Sequence, residues 1–228
     1  MDVVCLIYFF DDDAGSESLH LKGEMHKYLV KVRRHSEGDI LYVRDKKNIS
    51  QLHSYTIDSI EPRSLSLKLL SSRLDEVKPS LKLHLAWCVI DSKSIEKVLA
   101  SLCEIGVSKI SFISCERSQK NFKLDFKRFD RIVEASMQQS GRTSIMEFDT
   151  YKNVQTFLHQ YPDTKIFDFT DNVVDSSIDY ERVLIGCEGG FSQTEKDFFD
   201  AKNVFRFKTN MILRSESAVV GISSKILL

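Results

Sequence analysis

The chain has 228 residues, 42% of them hydrophobic and 29% charged, with a formal net charge of −1. That balance fits a soluble, core-forming protein of one large or two modest domains, and it excludes a global polycation. No apolar run approaches the roughly 20 residues that span a bilayer, and "MDVVCLIYFFDDD" lacks the basic flank and cleavage site of a signal peptide.

The five cysteines (Cys5, Cys88, Cys103, Cys115, Cys187) are odd in number and scattered, with no C-x-x-C pair, and the six histidines show no ligand spacing. They argue against a disulfide framework and a structural metal, and for a reducing cytosol. The expectation is a soluble cytoplasmic protein with no metal and no membrane partner. Charge is uneven along the chain. Lys22, Lys27, Lys31, Arg33 and Arg34 face only Glu24, and the stretch from Lys109 to Arg142 carries a surplus of four positive charges. Such patches either bind polyanions or are solvated faces.

In chain order, the apolar N-terminal run reads as a buried first strand. "LKGEMHKYLVKVRR" suggests a helix, with Met25, Leu29 and Val32 at helical spacing. "DILYVRD", "SYTIDSI" and the strictly alternating "SLSLKLLSS" read as strands separated by turn-forming clusters. Several short strands and one helix suggest a compact barrel over residues 1–72, with a charged linker around Pro79. From about residue 73 to the end the pattern becomes alternating strand and helix. "LKLHLAWCVI", "KISFIS", "TKIFDF", "RVLIG" and "VFRF" are the strands. "SIEKVLASLCEIG" puts Ile95, Val98, Leu99, Leu102 and Ile105 on one helical face and Gly106 at its stop. Further helices are expected over "DFKRFDRIVEASMQQS", "NVQTFLHQY", "TEKDFFDAK" and Ser215 to the end. Such alternation implies an α/β domain with a mostly parallel sheet covered on both faces.

Two segments carry the chemistry. In "LIGCEGGFSQTEKDFF", Gly186, Gly189 and Gly190 lie between a strand and a helix whose start is marked by Ser192 and Glu195, the spacing of a capping box. Open α/β sheets bind ligands at such strand ends. The loop is neither a P-loop nor a dinucleotide fingerprint; as a bare pattern it is a tight turn or a binding loop. In "FKTNMILRSESAVVGI", Ser215 can cap the last helix and Glu216 suits its first turn, whereas Arg214 sits beside apolar residues, where a charge needs a partner.

Taken together, "IGCEGGFS" and "KTNMILRSESA" resemble the two C-terminal motifs of the RsmE family of 16S ribosomal RNA uridine-N3 methyltransferases, in the SPOUT class. "SLCEIGVSKI" with "CERS", "MQQSGR", and "HKYLVKVRRHSEGD" in the first half resemble other stretches of that family, in the right order over nearly the whole chain. The family's proline is Cys187 here, its leucine–glycine pair Lys208 and Thr209, one arginine Met211, and two threonines Ser215 and Ser217.

The resemblance implies an N-terminal PUA-like RNA-binding β-barrel (1–72) and a C-terminal SPOUT domain (73–228) tied in a trefoil knot. It implies S-adenosylmethionine as cofactor, cradled by Phe167 and Asp168, by Gly186, Cys187, Glu188, Gly189 and Gly190, and by Met211, Ile212, Leu213 and Ser215. Arg214 would steady charge on the uracil, with Glu188 or Glu216 accepting its proton. RNA would be gripped by Lys22, Lys27, Lys31, Arg33 and Arg34, with Arg117, Lys120, Arg128 and Arg142 as a second track. The implied partners are 16S rRNA or the assembled small ribosomal subunit and a second copy of the chain as homodimer. A SPOUT enzyme for another RNA position, or a catalytically silent RNA-binding assembly factor, is the alternative.

Overall fold

The computed structural model describes residues 8–118, 123–174 and 180–228. The chain divides into two compact units, one running to Lys78 and including Met137–Ser144, the other formed by Pro79–Ser136 and Ile145–Leu228.

The first unit contains β1 (Phe9–Phe10), β2 (Ser18–Lys22), α1 (Gly23–Lys27), β3 (Ile40–Asp45), β4 (Asn48–Ile60) and β5 (Ser64–Leu74). Its barrel-like sheet has the order β1-β3-β4-β5-β2. It is antiparallel except for the short β1–β3 pair. Alternation drives it: Leu65 and Leu67 of β5 and Leu19 and Leu21 of β2 point inward to meet Leu41, Val43, Tyr55 and Ile57. Burying each such side chain contributes roughly 1.5–3 kcal/mol. Register shifts in β4 at Ser54/Tyr55 and Ile57/Ser59 let the long strand bend. Tyr55 locks the β1–β2 connection, its hydroxyl donating to the Ser16 carbonyl and accepting from the Gly15 amide, both at 2.8 Å. Arg44, 2% exposed, is neutralised by Asp75 and also donates to the Ile49 and Asp75 carbonyls.

The second unit follows the order β6 (His84–Cys88), α2 (Ser92–Ile105), β7 (Lys109–Ile113), α3 (Phe126–Ser140), β8 (Glu147–Tyr151), α4 (Val154–Gln160), β9 (Lys165–Phe167), β10 (Arg182–Ile185), α5 (Gln193–Lys196), β11 (Val204–Phe205) and α6 (Ser215–Leu227). The last turn of α3 is grouped with the first unit. Six strands pair in the order β11-β9-β10-β6-β7-β8, all parallel. Beyond their first residues the central strands β6 and β10 are apolar, as burial on both faces demands: Leu85, Ala86, Trp87, Cys88 and Leu184 are fully buried. Helix α2 starts where the Asp91 carboxylate accepts the Ser94 amide and stops at Gly106; Ile95, Leu99 and Leu102 face inward. No described helix is long and apolar enough to cross a membrane.

Several sequence expectations need correction. The N-terminal strand is seen only at Phe9–Phe10, since residues 1–7 lie outside the described residues. The expected first helix breaks into α1 and a π-helical turn, Tyr28–Val32, which buries Leu29 but leaves Val32 67% exposed. Strand β4 begins earlier than expected, because Lys47 N donates to the Asp45 carboxylate in a tight turn and brings Asn48 back into register. Strand β8 carries Glu147, Asp149 and Thr150 at the sheet edge, so no apolar run announced it. The helix expected over 194–202 ends after α5, where Phe198 and Phe199 tighten to i−3 bonds and Phe199 packs against Phe191. The cysteine reading is also corrected. Cys88 and Cys115, 27 residues apart, lie at the ends of adjacent parallel strands with Cα atoms 5.7 Å apart, and form a disulfide. Cys103 and Cys187 are buried and lie outside the disulfide, the Cys103 thiol donating to the Val133 carbonyl at 3.8 Å.

His84 gives the second unit a pH dependence. Burial, aided by the charges of Lys109 and Arg182, lowers its pKa from 6.5 to about 4, while Nε2 sits 2.8 Å from the Ser111 hydroxyl. The unfolded chain therefore binds a proton that the folded chain refuses, and stability is lost as pH falls from 6.5 toward 4. Denaturant melts at pH 7 and pH 5 should show His84→Gln losing about 1–2 kcal/mol less than the wild type between the two.

Candidate active site

Three backbone segments of the second unit converge at the C-terminal ends of its strands. The first follows β9 from Asp168, the second follows β10 through Gly186–Phe191, and the third leads from Phe207 to Arg214 at the start of α6. Because β9 pairs with both β10 and β11, the parallel register delivers all three to one edge. They enclose a cavity of about 500 Å³. Its walls are largely apolar, from Phe167, Ile185, Phe207, Ile212 and Leu213, with the charged groups of Asp168, Glu188, Arg206 and Arg214 set among them.

The glycine loop is shaped by backbone demands. The Gly190 amide donates to the Cys187 carbonyl at 2.9 Å, closing a tight turn, and Gly190 has φ of 66°, a conformation L side chains rarely adopt. At Gly189 a β-carbon would stand 3.3 Å from Cβ of Arg117, whose stem lies across the loop. The Arg117 guanidinium donates to the Gly189 carbonyl at 2.7 Å. Burial raises the pKa of the Cys187 thiol, which points back toward the Gly190 carbonyl at 3.6 Å. Beyond the loop, Ser192 and Glu195 form the capping box that starts α5.

A buried hydrogen-bond chain fixes the third segment. Trp87 Nε1 donates to Ser215 Oγ at 2.8 Å, and Ser215 Oγ donates to the Gly186 carbonyl at 2.5 Å. The start of α6 is thereby tied to the end of β10 and to the middle of the sheet. Ser215 was expected to cap α6; instead Arg214 occupies the cap position without a side-chain bond, and Ser215 bonds across to the strands. Arg206 fixes the first segment in a similar way, with Nε donating to the Thr170 carbonyl at 2.5 Å and Nη1 to the Phe207 carbonyl at 3.1 Å. Asp168, its side chain 8% exposed, pairs with Lys196 at 2.7 Å.

The residues singled out in the sequence as cofactor contacts, Phe167, Asp168, Gly186, Cys187, Glu188, Gly189, Gly190, Met211, Ile212, Leu213 and Ser215, all line this cavity. Arg214 lines it too, with its side chain 82% exposed. Glu216 does not line the cavity. It lies behind Arg214 at 4.0 Å, 17% exposed, and its Oε2 is buried with no hydrogen-bond partner among the described residues. Sequence reasoning missed Trp87, Arg206 and Phe207. Trp87 reads as core in an apolar strand, and Arg206 sits among aromatics with nothing to mark its bonds.

The basic candidates separate. Lys22, Lys27, Lys31, Arg33 and Arg34 are exposed on one short segment of the first unit. Arg128, 55% exposed, pairs with Glu96 at 2.6 Å. Lys120 lies outside the described residues. Arg142 is a correction: it is 4% exposed and its Nε donates to the Ser144 carbonyl at 2.6 Å, which removes it from the surface. Among the described residues, no group of His, Cys, Asp and Glu gathers as a metal site.

Comparison with known proteins adds to this geometry. The family model described as RNA methyltransferase domain matches residues 77–227. "Ribosomal RNA small subunit methyltransferase E" of Helicobacter pylori (strain ATCC 700392 / 26695) is 37% identical over 90% of this chain and 92% of its own. "Ribosomal RNA small subunit methyltransferase E 2" of Borreliella burgdorferi is 26% identical over 91% of this chain and 89% of its own. Among solved structures, a ribosomal RNA small subunit methyltransferase E from Neisseria gonorrhoeae bound to S-adenosyl methionine superposes with TM-score 0.75 at 18% identity, covering 96% of this chain and 95% of that one. A Legionella pneumophila methyltransferase in complex with SAM gives TM-score 0.74 at 21% identity, with 96% and 95% covered. These two share the fold.

Trp87 is the chain's single tryptophan, so its fluorescence reports on the buried chain directly. Ser215→Ala leaves the indole N–H and the Gly186 carbonyl without their shared partner, and should cost about 1–3 kcal/mol of stability. The measurement is a denaturant melt followed by tryptophan emission, which should also shift in the native state.

Proposed function

The chain belongs to the family of ribosomal RNA small subunit methyltransferases E, and from that premise we propose that it methylates N3 of a uridine in 16S ribosomal RNA, with S-adenosylmethionine as donor. The observation that carries the reading is the cavity of about 500 Å³ with the Arg214 guanidinium at its edge. Its size falls in the range of small-molecule sites. Its chemistry fits a cationic nucleoside: apolar walls at Ile185, Phe207 and Leu213 for a purine, with the carboxylates of Asp168 and Glu188 nearby. Asp168 is already held by Lys196, which fixes its position for ribose or amino contacts.

When bound, the donor supplies an electrophilic sulfonium methyl, so the protein's tasks are alignment and proton removal. Uracil N3 offers no lone pair until its proton leaves. A uridine extruded from its stack would enter beside Arg214. The guanidinium then stabilises negative charge growing on the uracil oxygens, a stabilisation strengthened as water is excluded. Asp168 is held by Lys196; Glu188, the second carboxylate on the cavity wall, accepts the N3 proton directly or through a water. Glu216, 4.0 Å from Arg214, orients the guanidinium from behind.

Residues 1–72 act as the PUA-like RNA-binding domain and 73–228 as the SPOUT methyltransferase domain, knotted through its last strands. Lys22, Lys27, Lys31, Arg33 and Arg34 contact phosphates, which gives salt-dependent affinity with little sequence choice; RNA shape supplies the selection. Arg128 belongs to a second, separate basic track. The enzyme works in the cytoplasm as a homodimer on 16S rRNA or the assembled small subunit.

Arg214→Ala should lower methyl transfer by at least about 100-fold while changing donor affinity less than about threefold. Labelled-methyl incorporation into small-subunit RNA and calorimetric titration with S-adenosylmethionine read the two effects. A fully active variant removes the guanidinium from the mechanism. Mass mapping of the modified base tests the N3 assignment, and donor binding without incorporation by the wild type would favour a silent RNA-binding factor.

A further inference from the structure

The turn Cys115–Ser118 touches no part of the cavity, yet it grips the glycine loop from outside at two points. Arg117 donates to the Gly189 carbonyl at 2.7 Å, and its stem packs so closely over Gly189 that a β-carbon there would meet Cβ of Arg117 at 3.3 Å. Next to it, the Glu116 amide donates to Glu195 Oε1 at 3.0 Å. Glu195 is 5% exposed, and its Oε2 accepts the Ser192 amide at 2.9 Å. One buried carboxylate thus bridges the turn to the far end of the glycine loop, while one guanidinium holds the near end. The turn is itself anchored. Ser118 N donates to the Cys115 carbonyl at 3.0 Å, Cys115 N donates to Ser118 Oγ at 3.3 Å, and the disulfide fastens Cys115 to the end of β6.

We propose that Arg117 and Glu195 are positioning residues for the methyl donor, a clamp that holds the 186–192 loop in its donor-binding shape; this rests on the reading of the cavity as the donor site. The sequence groups Arg117 with the RNA contacts, and the clamp gives its charge a different task. The loop turns through Gly190 at positive φ, and a restraint from outside that holds this turn in place lowers the ordering cost of binding. The restraint is the same in the donor-loaded ground state and in the transition state. It therefore governs donor affinity more than the chemical step.

The test uses the full chain. Arg117 is exposed, so its removal leaves no cavity in the core. Arg117→Ala should weaken S-adenosylmethionine binding about tenfold, with KM for the donor rising in parallel. At saturating donor, kcat and KM for small-subunit RNA should stay within about twofold. Arg117→Lys keeps a donor for the Gly189 carbonyl and should recover most of the loss. Glu195→Gln keeps the shape but turns one acceptor into a donor facing an amide, and should weaken donor binding similarly. Unchanged donor affinity in Arg117→Ala, beside a wild type that binds normally, overturns the clamp; so does a loss that falls on RNA affinity instead. A wild type that binds no S-adenosylmethionine sinks the reading of the cavity and the clamp with it.

Discussion

The site depends first on the hydrogen-bond chain from Trp87 through Ser215 to Gly186. Trp87 is 0% exposed in the central strand β6, so its indole N–H has no access to water and must be satisfied internally. Ser215 meets that demand and donates its own hydroxyl to the carbonyl of Gly186, just past the end of β10. The start of the last helix is therefore registered against the sheet by a polar contact with little tolerance in distance. Arg214 occupies the position just before it, and the third wall of the cavity inherits the same placement. The neighbouring apolar contacts at Ala218, Val219 and Ile222 seat the helix; the hydroxyl sets its register.

Electrostatics at the cavity edge follow from unequal exposure. Arg214 and Glu216 are 4.0 Å apart, but the guanidinium is 82% exposed. Such a pair contributes little to stability, since water screens it and holding a long side chain in one geometry costs entropy. The arrangement leaves the guanidinium hydrated and available, with a mostly buried carboxylate behind it to bias its direction. Under the proposed mechanism its charge becomes effective when a nucleobase covers it and water leaves. The other charged groups of the cavity behave differently. Asp168 is paired to Lys196 and Arg206 is spent on backbone carbonyls, so both are fixed in advance.

What the sequence made legible were the features that depend on local backbone chemistry. The glycine loop, the Ser192–Glu195 capping box and the helix over α2 each follow from residues within a few positions of one another. The long-range partnerships were not legible. Trp87 and Ser215 are 128 positions apart, and nothing in an apolar strand marks which indole needs a hydroxyl. Cys88 and Cys115 looked scattered because spacing along the chain does not record that their strands are neighbours in the sheet. Arg142 and Arg117 were equal members of a basic stretch in one dimension. In three, one is buried against Ser144 and the other reaches the glycine loop. The polar strand β8 escaped because an edge position relaxes the demand for apolar residues on which pattern reading relies.

Strand order explains why the glycines come so late in the chain. The sheet is laid down outward from β6 through β7 to β8, and the chain then crosses to build β9 and inserts β10 between β9 and β6. Loops leaving neighbouring parallel strands point the same way, so only after β10 is in place do the ends of β9, β10 and β11 lie side by side. A ligand site made from those three ends cannot precede the last third of the sequence. It also cannot form piecemeal, because β10 pairs with β6 on one side and β9 on the other, and α6 closes the wall only when Ser215 finds both Trp87 and Gly186. The finished cavity thus requires the completed centre of the sheet, so a ligand that binds there stabilises this topology over chains that have not reached it.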